Sequence, residues 1–512
     1  MTLRTDGMSG ATRQIAVLPY SRSTSHYRKR KNVKFRGFSL LKKCQNRFII
    51  SIENAQGAME VLTMLKRKIE KDIMHWIESS DKALLVYGVR QAGKTYIIRE
   101  CLNKAGCDYV EFNLIKQPEI VTILANATGI NDLILKLSLF SDQRIIPGKT
   151  VFFFDEIQKY KEIVTKIKFL VEDKRFRYVL SGSLLGVEIT NLKSAPVGYL
   201  QTLNMYPMDF EEFLQIFNVG EALIGKLRTA FEAKTPVDEV IHGKVMEMFN
   251  LYMIIGGMPA AVKKYRDTGN IDDVMDEHRA IIEQYKVDFT QYEEENRKLI
   301  ITNIYELIPA ELNEKNKRFM IADLRKNLRF DRVEDSFTWL WKAGVALAAF
   351  NTTEPTVPLL LNEKNTLFKM FLSDVGLLTT LYGKSCKLKI ISKDKDINKG
   401  AMFENVVAQE LHAHGYRLYY YNSKKKGELD FVIEHGGQVL PIEVKSGKDY
   451  EKHSALDNVM GITEYAIPEA IVFSHNNVKV KERITYYPIY MVMFLQDNRV
   501  DFVDISVDKF ML

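Results

Sequence analysis

The chain of 512 residues is 46% hydrophobic and 27% charged, which is ordinary for a globular protein and, at this length, favours about three domains over a single core. No window approaches the roughly 18 consecutive apolar residues of a membrane span, and the four cysteines lack the paired short spacings of a zinc site or a disulfide framework. The composition therefore excludes a membrane-spanning protein and a disulfide scaffold, and it predicts a soluble protein of a reducing, cytoplasmic compartment.

The net charge of +7 belongs to residues 1–58, which hold 12 basic and 2 acidic side chains and leave the remainder close to neutral. This segment, rich in Ser and Arg and without periodicity, fits a transit peptide, a basic nucleic-acid arm or sequence upstream of the true start codon. We favour an over-extended start, with disorder as the simpler alternative, because Met59 begins an amphipathic helix of the kind that precedes a nucleotide-binding core. We assign no function to residues 1–58.

An apolar run, a turn bracketed by glycines and a helix follow one another between Leu84 and Glu100. The turn fits the phosphate-binding pattern G-x-x-x-x-G-K-[ST], whose glycines let backbone N–H groups face phosphate oxygens. We predict that Lys94 bridges the β- and γ-phosphates of ATP and that the Thr95 hydroxyl ligates Mg²⁺. A glycine-rich connector is the simpler alternative, which the flanking strand and helix disfavour. The predicted nucleotide-binding residues are Gly88, Val89, Arg90, Gln91, Ala92, Gly93, Lys94, Thr95 and Tyr96.

A second motif is the apolar run 151–154, which ends in Asp155-Glu156. Ligands of doubly wound sheets bind at the carboxyl ends of the strands, so we predict that Asp155 holds Mg²⁺ through its water shell. Glu156 is predicted to polarise the attacking water. A strand that ends at a surface acid explains one carboxylate, but not its pairing with a phosphate loop. The chain between the two motifs has room for one strand, which we expect to lie between the motif strands.

A third predicted strand ends in Ser181-Gly182-Ser183. A hydroxyl there would lie beside the metal site, and we choose Ser183 over Ser181 as the group that senses the γ-phosphate. Ordinary turn chemistry is the alternative. Two further strands are predicted at 108–114 and 199–208. The alternation of helices and strands predicts an α/β fold with a parallel sheet.

These motifs together resemble a widespread prokaryotic family of AAA-type ATPases that carry a C-terminal domain of unknown function. The segments that carry the resemblance are "GVRQAGKT", "FFFDEIQ", "LSGSLLGVE", "PVGYLQTLNMYPMDFEEFL" and "YMIIGGMPAAV". The resemblance runs from about Met64 to the end of the chain and implies an ATPase core at 59–215. Oligomerisation is a further implication, because AAA-type cores often act as rings.

One position departs from this family. A basic residue often follows "PVG", and Tyr199 stands there in this chain. If that basic side chain stabilises charge on the transferred phosphate, another residue must do so here, and turnover is expected to be slow without it.

Residues 216–385 are predicted to be mostly helical, with three short helices and a hairpin that together resemble a winged helix. The basic run between Leu324 and Arg332 precedes the helix that would read DNA, which makes DNA a candidate partner. A solvated charged face, or a winged helix that serves only for packing, is the alternative. The basic residues are Arg325, Lys326, Arg329 and Arg332.

Residues 386–512 carry a second constellation. A helix holds Glu404, Asp430 opens a strand, and Glu443 and Lys445 lie two apart on the next strand and so share a face. Two carboxylates and an ammonium on one face could bind Mg²⁺ and position a water for phosphodiester attack. These residues resemble the core motif of the PD-(D/E)xK nuclease fold, with Lys424, Lys425 and Lys426 nearby. An internal ion-pair cluster is the alternative.

The sequence therefore predicts a Mg²⁺-dependent ATPase that couples ATP binding and hydrolysis to an unidentified protein partner or to DNA. Its architecture is a P-loop parallel-sheet core, a helical and winged-helix region and a small nuclease-like α/β domain. Two other functions stay open: a nucleotide-gated switch with little turnover, and a Mg²⁺-dependent DNA nuclease that ATP regulates.

Overall fold

Five parallel strands form the first sheet of the structure, which is a computed structural model. It describes residues 66–497 except 142, 184–197, 292–294, 327 and 395–396, and except the side chains of 290–297. The predicted leader, residues 1–58, lies outside this part. The elements up to the end of the sheet are α1 (Ile69–Ser79), β1 (Ala83–Gly88), α2 (Lys94–Lys104), β2 (Tyr109–Asn113), α3 (Pro118–Asn126), α4 (Ile130–Ser138), β3 (Val151–Asp155), α5 (Ile163–Glu172), β4 (Arg177–Ser183) and β5 (Leu200–Met205).

The strand order is β2-β3-β4-β1-β5, with every pair parallel. Alternate side chains pack on opposite faces: Leu84 and Val86 join the core that contains α1 and α2, whereas Leu85 joins the core that contains α3, α4 and α5. Burial on both faces explains the continuous apolar runs of the sequence. The predicted α/β fold with a parallel sheet is confirmed.

The expectation for the intervening strand is wrong. The strand that lies between the two motifs in the sequence, β2, is at the edge of the sheet, and β4 lies between β1 and β3. After β3 the chain crosses over α5 and forms β4 between β3 and β1. The Ser-Gly-Ser end of β4 therefore lies between the phosphate loop and the acidic pair.

A helical region follows the first sheet. Its first helix begins with a capping box in which Asp209 accepts from the Glu212 amide and Glu212 accepts from the Asp209 amide. The helices of this region are α6 (Phe210–Ile216), α7 (Glu221–Glu232), α8 (Glu239–Ile255), α9 (Pro259–Thr268), α10 (Ile271–Gln291), α11 (Glu295–Asn313), α12 (Ile321–Leu324) and α13 (Glu334–Lys342).

The turn between α8 and α9 depends on two glycines. Gly256 has a φ of 72°, and an added Cβ would overlap the carboxylate of Asp374. An added Cβ on Gly257 would overlap the backbone of Met208. The Gly257 amide donates to Asp374, so this turn locks the helical region to the end of β5 and to the chain after β7. Steric fit accounts for the two glycines of the Gly-Gly-Met-Pro segment.

The remaining elements form an eight-stranded mixed sheet in the order β12-β13-β11-β10-β9-β8-β6-β7, with helices against it. The elements are β6 (Ala346–Thr352), β7 (Glu363–Leu372), α14 (Val375–Leu381), α15 (Lys384–Ile391), α16 (Gly400–Ala413), β8 (Tyr419–Ser423), β9 (Gly427–His435), β10 (Gln438–Val444), α17 (Ser454–Met460), β11 (Ala470–Ser474), β12 (Lys479–Lys481) and β13 (Ile484–Pro488).

The hairpin expected as the wing, β6 and β7, belongs to this sheet. Strand β6 pairs antiparallel with β7 and parallel with β8, with Phe350 opposite Tyr419. Of the three expected short helices, one is α12, one is the 3-10 helix Phe330–Arg332 and one is α13. The sheet thus crosses residue 385, and the domain boundaries at 215 and 385 stay predictions.

Among the described residues, no single helix has both the length and the apolar composition to cross a membrane. Helices α8 and α9 meet those criteria only as a pair, and they are bent by 116° at their junction. Much of α8 is buried within the protein, including Phe249, Tyr252 and Met253.

Candidate nucleotide-binding site

The phosphate loop joins the carboxyl end of β1 to the amino end of α2, as the sequence predicts. Gly88 has a φ of 141°, and an added Cβ would overlap the carbonyl oxygen of Met205 on β5. Gly93, with a φ of 97°, precedes the first helical residue, Lys94. A helix amino terminus that follows such a turn presents unpaired N–H groups to an anion.

The ammonium of Lys94 lies inside this loop. Nζ donates to the carbonyl oxygens of Gly88 at 3.1 Å and Val89 at 2.9 Å, and the residue is 8% exposed. Burial lowers the pKa of Lys94 to about 8, although the charges of Glu156 and Asp155 oppose this shift. Among the described residues, this ammonium contacts neutral carbonyl oxygens and no carboxylate, and the phosphates of a nucleotide would provide an anionic partner.

The carboxylate of Asp155 lies beside the loop at the end of β3. Thr95 Oγ1 is 3.1 Å from Oδ1 and 3.2 Å from Oδ2, and Asn113 Nδ2 is 3.0 Å from Oδ2. The Ser181 hydroxyl also donates to Oδ1. Burial raises the pKa of Asp155, a shift that a bound cation would reverse. A hydroxyl and a carboxylate are oxygen ligands of the kind Mg²⁺ takes, so Thr95 and Asp155 fit the ion.

Glu156 follows Asp155 in a left-handed conformation, with a φ of 58°. The side-chain nitrogen Nε2 of Gln158 donates to Glu156 Oε2 and, over 3.2 Å, to Ser183 Oγ. Gln158 therefore ties Glu156 to the end of β4. Ser181 thus contacts Asp155, the predicted metal ligand. Ser183 contacts Gln158, which in turn holds the predicted base Glu156.

The structure thus brings the predicted residues of the first site together at one edge of the sheet. Sequence reasoning missed Asn113 and Gln158, although a local signal marks both. Asn113 lies near the end of the strand predicted at 108–114 and ends β2 at the same edge, and Gln158 lies two residues after the acidic pair.

The four predicted nuclease-like residues also converge. Lys445 Nζ lies 2.6 Å from Glu443 Oε1, and the Val444 amide donates to Asp430 Oδ2 at 2.8 Å. Burial and the charge of Asp430 raise the pKa of Glu443 to about 8 and that of Glu404 to about 7. Asp430 lies inside β9 and does not open it, because the strand already begins at Gly427.

Two lysines that the sequence did not reveal complete this cluster. Lys317 pairs with Glu404, and Lys369, fully buried on β7, lies 2.6 Å from Glu428. Both come from distant parts of the chain and have no local signal. The cluster is therefore internally neutralised to a large extent, as the ion-pair alternative expects.

Metal-ligand geometry does not favour the carboxylates of this second cluster. Within the described part of the chain, the group of acidic and histidine ligand atoms that lie within 4.8 Å of one another is Asp209, Glu410 and His414. That group lies where α6 meets α16, and Lys68 Nζ is already 2.6 Å from Asp209 Oδ2. Burial lowers the pKa of His414, but the neighbouring Asp209 and Glu410 outweigh this effect and raise it. Lys68 therefore already supplies positive charge at this group without a metal.

The predicted basic run is exposed at all four positions. The residues are Arg325, Lys326, Arg329 and Arg332. Lys424 and Lys425 are exposed as well, whereas Lys426 lies over the Tyr465 ring, 5.0 Å from its centre.

Three family models match parts of the chain. Residues 80–214 match a model described as an AAA domain. Residues 246–388 and 399–492 match two models described as domains of unknown function. The nuclease likeness of the C-terminal region stays a prediction.

Relatives are distant. An uncharacterized protein of Methanocaldococcus jannaschii is 26% identical over 374 residues, which cover 69% of this chain and 72% of that protein. The Walker-type ATPase paby2304 of Pyrococcus abyssi is 16% identical, with coverage of 62% and 96% and a TM-score of 0.38. Cdc6p from Pyrobaculum aerophilum is 13% identical, with coverage of 65% and 97% and a TM-score of 0.24.

The AAA match covers the whole of the first sheet together with the phosphate loop and the acidic pair. The resemblance that the sequence suggested is confirmed for this part of the chain. Residues 80–214 form an AAA-type, P-loop ATPase-like domain.

Proposed function

We propose that the chain binds ATP together with Mg²⁺ at the carboxyl edge of its first sheet and hydrolyses the bond to the γ-phosphate. One observation carries this proposal. The Thr95 hydroxyl, at the end of the phosphate loop, lies 3.1 Å from the carboxylate of Asp155, which comes from a different strand 60 positions later.

Thr95 and Asp155 would hold the Mg²⁺ ion, directly or through its waters. The ion would neutralise charge on the phosphates. Lys94 would exchange its two carbonyl partners for phosphate oxygens, a stronger charge-assisted interaction. The amides of the loop and of the first turn of α2 would surround the remaining phosphate oxygens.

The reaction transfers the γ-phosphoryl group to water. The water oxygen bonds to the γ-phosphorus, and the bond from that phosphorus to the bridging oxygen breaks, with its electron pair left on ADP. Glu156 orients the water and accepts one of its protons, which then passes to solvent, so the products are ADP and inorganic phosphate. Gln158 keeps Glu156 aimed at the water through its contact with Ser183.

The experiment is phosphate release by wild type and Glu156→Gln. Glu162→Gln is the matched control, because Glu162 is exposed, lies six positions away and makes no side-chain capping hydrogen bond. We expect turnover to fall at least about 100-fold in Glu156→Gln, as for loss of a general base, with ATP binding kept. Equal turnover in wild type and Glu156→Gln would remove Glu156 from this role.

Coupling to a partner is a further part of the proposal, with DNA or an unidentified protein as the partner. The exposed basic run favours DNA, because phosphate contacts by Arg and Lys dominate nucleic-acid affinity. Binding of duplex DNA by wild type and by an Arg329→Ala/Arg332→Ala variant, at two salt concentrations, tests this. No binding at low salt would leave a protein as the partner. A Glu156→Gln chain kept in ATP would then serve as the trap for that protein.

A Mg²⁺-dependent nuclease is a second candidate, and one observation favours it. Glu404, Asp430, Glu443 and Lys445 converge, and Glu404 Oε2 and Glu443 Oε2 are buried without a hydrogen-bond partner among the described residues. Incubation of DNA with Mg²⁺ or Mn²⁺ tests the idea against Lys445→Ala. If wild type leaves single- and double-stranded DNA intact, the candidate is rejected.

A further inference from the structure

Tyr199, the residue that follows Pro-Val-Gly, lies at the opposite end of the first sheet from the phosphate loop. Tyr199 precedes β5, and its carbonyl accepts from the amide of Ala83, the first residue of β1. The phosphate loop begins at the other end of the same strand, about 17–20 Å away at the rise of a parallel strand. The Tyr199 hydroxyl donates to Glu172 at 2.7 Å, on α5. A charge for the γ-phosphate must therefore come from elsewhere.

Arg90 is a cation of the phosphate loop itself. Its guanidinium Nη1 donates to Asp288 Oδ1 at 2.7 Å, and its side chain is 23% exposed. Asp288 belongs to α10 and is 1% exposed. The Tyr285 hydroxyl, one turn earlier, is 3.4 Å from the carbonyl oxygen of Arg90. Helix α10 thus holds the middle of the loop from outside the first sheet.

Arg90 lies between Gly88 and Lys94, in the turn predicted to surround the phosphates. Lys94 Nζ contacts carbonyl oxygens of that turn, whereas the Arg90 guanidinium contacts Asp288 on α10. The guanidinium is therefore carried by the same turn that would bind the phosphates, and its long side chain can reach them.

Asp288 can release Arg90 without losing every partner. Gln284 Nε2 lies 3.4 Å from Asp288 Oδ1, on the same face of α10. Asp288 Oδ2 is buried and makes no hydrogen bond within the described part of the chain, so the aspartate holds Arg90 through one oxygen. A phosphate, which accepts two N–H groups of a guanidinium fork, is a stronger partner than this single contact.

We infer that Arg90 is the charge-stabilising arginine of this ATPase, supplied by the same chain, and that Asp288 holds it until ATP is bound. Bound phosphates draw the guanidinium away from Asp288. It then donates to the oxygens of the γ-phosphoryl group, whose negative charge must be stabilised during transfer. Arg90 moves no proton. This inference rests on the proposed ATP hydrolysis and names the residue that completes its site.

The test compares wild type, Arg90→Ala, Arg90→Lys and the control Arg279→Ala, which removes an exposed arginine from α10. Single-turnover hydrolysis and equilibrium binding of ADP with and without aluminium fluoride are measured. We expect Arg90→Ala to bind ADP with an affinity within about threefold of wild type and to hydrolyse bound ATP about 100-fold or more slowly. Aluminium fluoride should tighten ADP binding to wild type and should not do so for Arg90→Ala. Arg90→Lys should be intermediate, because it keeps the charge and loses the fork.

The outcomes separate this inference from the proposed function. If wild type itself releases no phosphate, the proposed hydrolysis fails. If wild type hydrolyses ATP and Arg90→Ala does so at the same rate, hydrolysis stands and the role of Arg90 is overturned. Thermal unfolding of each variant excludes misfolding as the cause of a loss, and Arg90→Lys keeps the test valid if Arg90→Ala does not fold.

Asp288→Asn tests the holding step. Without the ion pair the guanidinium is free in advance, so ATP should bind up to about fivefold more tightly, the range that a partly exposed ion pair can contribute. The chemical step should stay near the wild-type rate. A loss of hydrolysis as large as in Arg90→Ala would show that the ion pair, and not the released arginine, is the active form.

Discussion

The two charged clusters of this protein contain the same kinds of residue and arrange them differently. At the edge of the first sheet, Lys94 contacts carbonyl oxygens and Asp155 contacts hydroxyl and amide donors, so neither charge neutralises the other by contact. In the second sheet, Lys445 lies directly on Glu443. Burial lowers the pKa of Lys94, whereas for Lys445 the charge of Glu443 outweighs burial and raises it.

This difference separates a site that is prepared for a charged ligand from a cluster whose charges are largely paired with one another. A ligand of the first site gains an unneutralised ammonium and a carboxylate already oriented by three donors. A metal ion in the second site must displace lysines from the carboxylates, and lysine displacement costs free energy. Convergence of acidic and basic residues is therefore insufficient by itself to indicate catalysis.

The largest expected effect contrasts two lysines. Lys94→Met should weaken ATP binding by about 100-fold or more, as for loss of one partner of a buried charged contact. Lys445→Met should leave ATP binding unchanged. Equilibrium titration with a fluorescent ATP analogue measures both, and equal loss in the two variants would contradict the contrast.

The same two variants should differ in stability with opposite signs. Lys445→Met leaves the buried Glu443 carboxylate unpaired and should lower the free energy of unfolding by about 3 kcal/mol. Lys94→Met removes an ammonium that contacts no carboxylate in the part of the chain that the structure describes, so the variant should be as stable as wild type or more stable. Urea unfolding at pH 9, where Glu443 with its pKa of about 8 is ionised, measures the difference. A strongly destabilised Lys94→Met would show that Lys94 is a structural ion-pair member.

A third, smaller effect concerns pH. The pKa of Glu443 rises to about 8 in the folded protein, above its value of about 4.3 in an unfolded chain. The folded state therefore binds this proton more tightly, and stability should fall as pH rises from about 5 to 8. Glu443→Gln should flatten that part of the stability profile. An unchanged slope in the variant would assign the titration to another group.

The smallest effect concerns Gln158. Because Gln158 holds Glu156 against Ser183, Gln158→Ala should slow turnover by about 10-fold, a loss of orientation and not of the base itself. ATP affinity should stay the same. Steady-state phosphate release and a binding titration give the two values, and a change confined to affinity would place Gln158 in ATP binding.

The first site was predictable because its parts are local. Each half is a short motif at the end of a buried strand, and parallel strands bring their carboxyl ends to one edge. Asp288 was not predictable, because it reaches Arg90 from 198 positions away on an ordinary amphipathic helix. No local pattern distinguishes the buried Asp288 from the exposed acids of α10.

The second sheet shows the same limit. Alternation along β9 and β10 was enough to place Asp430, Glu443 and Lys445 together, since residues two apart share a face. The parallel pairing of β6 with β8 was not predictable, because it joins segments about 70 positions apart and leaves no turn signal between them. The expected wing is consequently part of a larger sheet.

The central claim is a magnesium-nucleotide site shared by the phosphate loop and Asp155. Its most direct test is equilibrium binding of ATP to wild type and Asp155→Asn, each with Mg²⁺ and with a chelator, with the exposed-site variant Asp276→Asn as control. We predict that Mg²⁺ tightens ATP binding to wild type and to the control, and that it does not do so for Asp155→Asn. Mg²⁺-independent binding by wild type, or an equal Mg²⁺ effect in Asp155→Asn, would contradict the account.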